Sequence, residues 1–254
     1  MTTQPRRGES DVDTFYRDYW TSPAWGGAEL NEDERARATA ILEMLRRTFR
    51  SARGTASPPE ILDIGCGRGW LTAMLSRLGH ARGIDPTGSS VARARELFPM
   101  VDFRQREVQE LLDELGPCRF DCVVSSEVIE HVRDQQKPAF LRSIYTLLKK
   151  GGHALLTTPR GELWEWYKNT SPGLQPVEHW IGERELDHLA QLQLFQIVER
   201  SRIFVPGYPY CLPARLLGIR RLRRLSDPIR HAWPVRNLAA RVGVYQILLL
   251  RRTQ

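Results

Sequence analysis

The sequence predicts an α/β protein built on a parallel sheet with helices on both faces, and three observations carry the prediction. Short apolar runs alternate with segments of helical period from residue 60 onward, and a repeated strand, helix, strand order requires crossover connections rather than hairpins. A glycine-rich loop joins the first such strand to the first such helix. The chain of 254 residues, 41% hydrophobic and 26% charged, has the size of one α/β domain with extensions and enough apolar material for a real core.

In chain order, 11–20 and 31–50 read as helices. Asn31 followed by Glu34 has capping-box spacing, and Ala38, Ile41, Leu42 and Leu45 recur at the helical period. The stretch 51–59, SARGTASPP, is a linker. Seven strand candidates follow: EILDIG, ARGID, VDFRQ, FDCVVSS, HALLTTP, FQIVERSRIFV and VGVYQILLL. Between them lie helical patterns at WLTAMLSRLG, SSVARARELF, 108–115, 138–148 and 183–192. No internal repeat or low-complexity tract is present.

Composition removes several function classes. The four cysteines, Cys66, Cys118, Cys122 and Cys211, form no CxxC pair, which argues against a disulfide scaffold or a structural zinc site and for reduced thiols. No apolar stretch approaches the ~20 residues of a membrane span, and the N-terminus lacks a signal-peptide run, so the expected location is cytoplasmic. The net charge of +7 is unevenly placed: from Arg202 to Arg252 there are eleven arginines and one acid, +10, leaving −3 for the first 200 residues. The main body is mildly acidic and the excess positive charge lies in a late segment, so the basic total alone is weak support for a nucleic-acid partner.

The segment Asp63-Ile64-Gly65-Cys66-Gly67-Arg68-Gly69 sits between strand and helix, where glycines allow a sharp turn and close approach to a ligand. Asp85 follows Gly65 by twenty residues at the end of the next strand, where a carboxylate can take both ribose hydroxyls. Together these read as a nucleoside-binding constellation, against the plainer reading of a turn whose glycines serve packing. A dinucleotide fingerprint would need a small residue where Trp70 stands, and it seldom carries an acid at the place of Asp63. The D-x-G-x-G-x-G pattern instead resembles motif I of the class I S-adenosylmethionine-dependent methyltransferases, over roughly 60–205 plus the last strand. The resemblance implies a Rossmann-like, doubly wound seven-stranded mixed sheet and S-adenosyl-L-methionine as cofactor, with S-adenosyl-L-homocysteine as product. It also implies that Asp63, Gly65, Cys66, Gly67 and Gly69 form the cofactor loop, Asp63 holding the ammonium group and Asp85 the ribose. Glu107 and Val108 match the pair that meets adenine in that family, although Glu107 reads equally well as a helix-start acid.

FDCVVSSEVIEHV brings Glu127, Glu130 and His131 to the C-terminal end of the fourth strand, the sheet edge where ligands bind. A helical turn starting near Ser126 would put all three on one face. The E-x-x-E-H wording resembles the ubiquinone-biosynthesis O-methyltransferases and related small-molecule methyltransferases, in which Ser126 would line the cofactor. Three readings stay open. His131, oriented by Glu130 or Glu127, removes a proton from an acceptor hydroxyl. Alternatively Glu127, Glu130, His131 and His179 bind a divalent cation, an arrangement that resembles the RNA ribose 2′-O-methyltransferases. In the third, the acids brace a helix and His131 packs beside the cofactor.

Phe15, Tyr16, Tyr19, Trp20 and Trp25 form an aromatic stretch, and in related methyltransferases such segments fold over the cofactor, whose sulfonium a π face attracts. Tyr19 and Trp20 are the stronger cofactor candidates; packing of an amphipathic helix is the competing reading. Before the last strand, 206–242 is a basic amphipathic insertion broken at Pro228 and Pro234. Its arginines suit an anionic acceptor, RNA phosphates or, through 212–225, peripheral membrane contact, and it is the candidate substrate lid unless it is a solvated face. The expected organisation is an N-terminal helical cap (1–55), a methyltransferase core (56–205 and 243–254) and the insertion (206–242). The expected reaction is methyl transfer to an oxygen of a small-molecule biosynthetic intermediate, with RNA ribose methylation and a non-catalytic cofactor-binding module as the alternatives.

Overall fold

A computed structural model of the chain describes residues 9–22, 26–51, 57–164, 178–203 and 243–254. The 206–242 insertion, with its proposed lid and membrane contacts, Cys211, Trp25 and most of the linker lie outside the described residues.

Two helices open the chain, α1 (Glu9–Thr21) and α2 (Glu32–Ser51). The capping box at the start of α2 forms: the Glu34 N–H donates to Asn31 Oδ1 at 2.9 Å, and the Asn31 N–H donates to Glu34 Oε2 at 3.0 Å. There follow β1 (Glu60–Ile64), α3 (Trp70–Leu75), β2 (His80–Asp85), α4 (Gly88–Leu97), β3 (Asp102–Gln105), α5 (Val108–Leu115) and β4 (Phe120–Ser126). The chain continues through α6 (Lys137–Leu147), β5 (Leu148–Pro159), α7 (Glu183–Leu192), β6 (Phe195–Ile203) and β7 (Tyr245–Arg252). The seven strands form one mixed sheet in the order β3-β2-β1-β4-β5-β7-β6, in which β7 alone runs antiparallel to its neighbours. Among the described residues, no helix is long and apolar enough to cross a membrane.

Alternation along the strands splits the core in two, because successive side chains point to opposite faces. Leu62, Val123, Leu156 and Leu248 pack on one face against α5, α6 and α7. Ile61, Val124, Leu155 and Leu249 pack on the other against α2 and α3, where Ala38, Ile41, Leu42 and Leu45 form the apolar stripe. Strand order reverses direction at β1 and β4, and the crevice at their C-terminal ends is the ligand position in open α/β sheets.

A buried ion pair ties the N-terminal helices to this crevice. The Arg68 guanidinium, in the glycine loop, grips the Glu34 carboxylate through both terminal nitrogens, one of them at 2.8 Å. Its Nε donates to Gly27 O at 2.7 Å and its Nη2 to Glu29 O at 3.1 Å, so one side chain also holds two main-chain oxygens just before α2. Both partners are almost fully buried. Replacing Arg68 by methionine leaves Glu34 buried and unpaired, and chemical unfolding should show a loss of about 3–5 kcal/mol; a loss below about 1 kcal/mol would show that the fork holds nothing together.

Candidate active site

Where β1 ends, the chain turns back through Gly65, Gly67 and Gly69, all at positive φ (71°, 51° and 87°). The N–H groups of Gly65 and Cys66 donate to Ile84 O at 2.8 and 2.9 Å, clamping the loop to β2. A Cβ on Gly65 would lie 2.3 Å from Val128 Cγ2, and one on Gly67 2.9 Å from the Trp20 ring, so close approach by the β4 loop and by α1 demands both glycines. Gly69 stands at the N-cap of α3.

The loop floors a cavity of about 700 Å³, a size typical of small-molecule sites. Asp63, Gly65, Cys66, Gly67 and Asp85 line its β1–β2 side, and Ser126, Glu127, Glu130 and His131 its β4 side. Asp85 accepts from the N–H groups of Gly67 (3.0 Å) and Thr87 (2.9 Å). Burial raises its carboxyl pKa, and those two donors hold the rise back. Asp63 is buried beneath the loop and accepts from Thr72 Oγ1 at 2.6 Å. Burial first, then the charge of Asp85, pushes it up to about 7, against the lowering effect of Thr72. Burial likewise drives the Cys66 thiol well above its usual range, which makes it a packing thiol.

From α1, Tyr16, Tyr19 and Trp20 reach the same cavity. Trp20 donates from Nε1 to Ser90 Oγ at 3.0 Å, and its ring stands 5.7 Å from the Arg68 guanidinium carbon and edge-on to Tyr19 at 4.7 Å. Desolvation raises both tyrosine pKa values, so the phenols stay protonated hydrogen-bonding groups.

Four sequence expectations change. Gly69 is not in the cavity lining: a Cβ there would lie 2.6 Å from the Phe103 ring and 2.9 Å from Ala94 Cβ, so this glycine serves packing. No helical turn starts at Ser126: Glu127 adopts φ 59°, and a single 3₁₀ turn covers Ile129–His131. The chain leaves β4 with the Glu127 N–H still bonded to Thr157 O at 2.9 Å, and this pairing holds the left-handed residue while Glu127, Glu130 and His131 reach the cavity by a different backbone path. Glu107 and Val108 do not line the cavity; Glu107 caps α5 in a reciprocal box with Glu110, whose carboxylate takes the Glu107 N–H at 2.9 Å. Local capping satisfies the orphan N–H groups of α5 and so sets the direction of Glu107.

His179, the fourth residue of the proposed cation set, is also absent from the cavity lining. Its ring lies 3.8 Å from Asp134, while its main chain is held by Glu130 O (2.7 Å) and by Lys137 Nζ (2.8 Å). Those contacts seat Glu178 and Trp180 in the wall. Among the described residues, no group of three or more His, Cys, Asp and Glu side chains is arranged to hold a metal ion.

Sequence reasoning missed Asp33, Arg37, Glu178 and Tyr245 in the lining. For Arg37 a signal existed: Glu34, Arg37, Ala38 and Ile41 share one helical face, and charged residues on an otherwise apolar stripe mark a site.

A doubly wound sheet with a glycine loop, a carboxylate closing β2 and a cavity at the switch point defines a nucleoside-cofactor enzyme. The family model described as "Methyltransferase domain" matches residues 33–200, well over half of the chain. The chain belongs to that family and is a class I S-adenosylmethionine-dependent methyltransferase. It is 40% identical over 107 residues to the mitochondrial ubiquinone biosynthesis O-methyltransferase of Rattus norvegicus, covering 39% of this chain and 30% of that one. It is 30% identical over 208 residues to the ubiquinone biosynthesis O-methyltransferase of Rhodopseudomonas palustris strain TIE-1, covering 74% and 79%. The chain thus spans less than a third of the length of the rat relative. Among solved structures, N-methyltransferase NodS from Bradyrhizobium japonicum, in complex with S-adenosylhomocysteine, superposes with a TM-score of 0.62 at 16% identity, covering 96% and 99%. An S-adenosylmethionine-dependent methyltransferase from Mesorhizobium loti gives 0.55 at 18%, covering 81% and 96%. At those identities the likeness speaks to fold.

S-Adenosylmethionine suits the cavity on its chemistry: two buried carboxylates for its ribose and ammonium groups and aromatic faces for its sulfonium. If Asp85 takes the ribose, Asp85→Ala should weaken S-adenosylhomocysteine binding by about 2–4 kcal/mol in calorimetry; unchanged affinity would remove that role. If Asp63 takes the ammonium, affinity should rise with pH as Asp63 ionises near pH 7, and the slope should vanish in Asp63→Asn. An equal slope in wild type and variant would assign the ammonium elsewhere.

Proposed function

We propose that this methyltransferase acts on an oxygen of a small-molecule biosynthetic intermediate, a phenol, sugar or similar, with His131 as general base flanked by Glu130 and Glu127. The supporting observation is the acid–histidine wall: His131 Nε2 stands 3.9 Å from Glu130 Oε1, in the cavity that the glycine loop floors. When bound, the cofactor supplies an electrophilic methyl group on a sulfonium that departs as a neutral thioether. The protein's part is to align an acceptor lone pair with that carbon and to take the acceptor's proton at the imidazole.

Charge in the described walls supports a hydroxyl acceptor over an anionic one. Glu127, Glu130 and Glu178 face the β4 side of the cavity, and its one lining guanidinium, Arg37, is already paired with Asp33 at 2.8 Å. A group that donates a hydrogen bond is welcome there, and a carboxylate or phosphate meets like charge. Burial raises the Glu130 carboxyl, and the neighbouring His131 and the Thr158 hydroxyl hold the rise back. The names of the ubiquinone-biosynthesis relatives agree with oxygen as the acceptor atom.

Methyl transfer from radiolabelled S-adenosylmethionine across a panel of phenols, catechols and sugars tests this reading. With the best acceptor, His131→Ala should lower kcat by about 10² to 10⁴ with little change in cofactor affinity, and a chelator should have no effect. Loss of activity on chelation, restored by a divalent cation, would replace the general base by a metal. Full activity of His131→Ala without chelator sensitivity would reduce the histidine to packing.

A further inference from the structure

Arg37 stands on α2, buried, with its guanidinium carbon 5.9 Å from the centre of the Trp70 ring and 5.5 Å from that of Tyr245. Besides its ion pair with Asp33, it directs Nη1 at Ser126 Oγ, 3.4 Å away. Ser126 Oγ lies 2.8 Å from Thr157 Oγ1, and the Thr157 hydroxyl donates to Glu127 Oε1 at 2.9 Å. The two hydroxyls are brought side by side by the β4–β5 register, which pairs Ser126 with Thr157.

The direction of this chain is determined by its ends. A guanidinium has donors and no acceptor, so Ser126 Oγ receives from it, and because Thr157 spends its only proton on Glu127, the Ser126 proton goes to Thr157. Thr157, having received, has one proton left and gives it to the carboxylate. Were Glu127 protonated at Oε1, Thr157 would lose the acceptor for its only proton while still receiving from Ser126. We propose that Arg37 is a positioning residue that acts through Ser126 and Thr157 to hold Glu127 as a hydrogen-bond acceptor in the cavity wall. This rests on the reading of Glu127 as part of the acid–base wall, and it extends that wall to the N-terminal helix.

The relay opposes strong forces. Burial raises the Glu127 carboxyl well above its ordinary range, and the charges of Glu130 in the 3₁₀ turn and Asp33 on α2 add to the rise, while Arg37 and the Thr157 hydroxyl pull it down. Breaking the relay at either hydroxyl should therefore move the titration of Glu127 to higher pH even with Arg37 in place.

Carbon-13 NMR of the full chain labelled at glutamate carboxyls and saturated with S-adenosylhomocysteine reads this without any methyl transfer, so its outcome is independent of which acceptor the enzyme uses. The Glu127 signal is assigned by its loss in Glu127→Gln. Thr157→Val and Ser126→Ala, which keep the buried volume nearly intact, should each raise the Glu127 midpoint by about one pH unit or more. Arg37→Met should raise it at least as far, and Arg37→Lys should stay near the wild type. An unchanged midpoint in both hydroxyl variants would overturn the relay. That would hold even if Arg37→Met shifted the titration, because the cation would then act through space alone.

Discussion

The grip of Arg68 on Glu34 is the contact on which the rest of the site depends. Glu34 closes the capping box of α2 and receives the guanidinium of the glycine loop with the same carboxylate. Arg68 in turn gathers the carbonyls of Gly27 and Glu29 and stands over Trp20. This pair refers α2 and the stretch before it to the loop after β1, while Trp20 is tied to Ser90 on α4 and Arg37 to Ser126 on β4. A guanidinium suits the task because its fork meets a carboxylate in two places while remaining donors reach main-chain oxygens. A lysine has no such fork.

A site so enclosed is costly for its own acids. Asp63, Asp85 and Glu130 are buried, Glu127 is half-buried, and desolvation raises all four carboxyls. Different devices offset the burial at each: a threonine hydroxyl at Asp63, two main-chain N–H groups at Asp85, a hydroxyl relay at Glu127, and the Thr158 hydroxyl at 2.8 Å together with His131 at Glu130. Hydrogen-bonded donors stabilise a charged carboxylate in low dielectric more than they do in water, so each device keeps one acid available for use.

Of the three side-chain-bearing residues at positive φ among the described residues, Cys118, Glu127 and Leu194, one stands at this site. Gly65 and Gly67 accept positive φ without penalty, whereas Glu127 at φ 59° is a side-chain-bearing residue in the left-handed region. The pairing of its N–H with Thr157 O and of its carboxylate with the Thr157 hydroxyl anchors both ends of the residue to one position on β5. Thr157 thus meets backbone and side chain of the strained residue together, and the turn that carries His131 starts from that anchored point.

Much of this was legible in the chain itself. Short apolar runs and period-3.6 patterns located the seven strands and the helices between them, because run length and helical repeat are local properties of the chain. The spacing of Asp63, the glycines and Asp85 was enough to imply a nucleoside site, since the loop geometry is also local. The paths of Glu107 and Glu127 were not legible. Whether an acid caps its own helix or turns into a cavity, and whether a strand ends in a helical or a left-handed residue, is decided by partners such as Glu110 and Thr157 that offer competing hydrogen bonds. Nor could the sequence bring Arg37 to Ser126, 89 residues away, or His179's main chain to Lys137, 42 residues away. Those meetings exist because α2 packs its apolar stripe on the sheet and because β4 and β5 pair in one register, and both are consequences of burying the core as a whole.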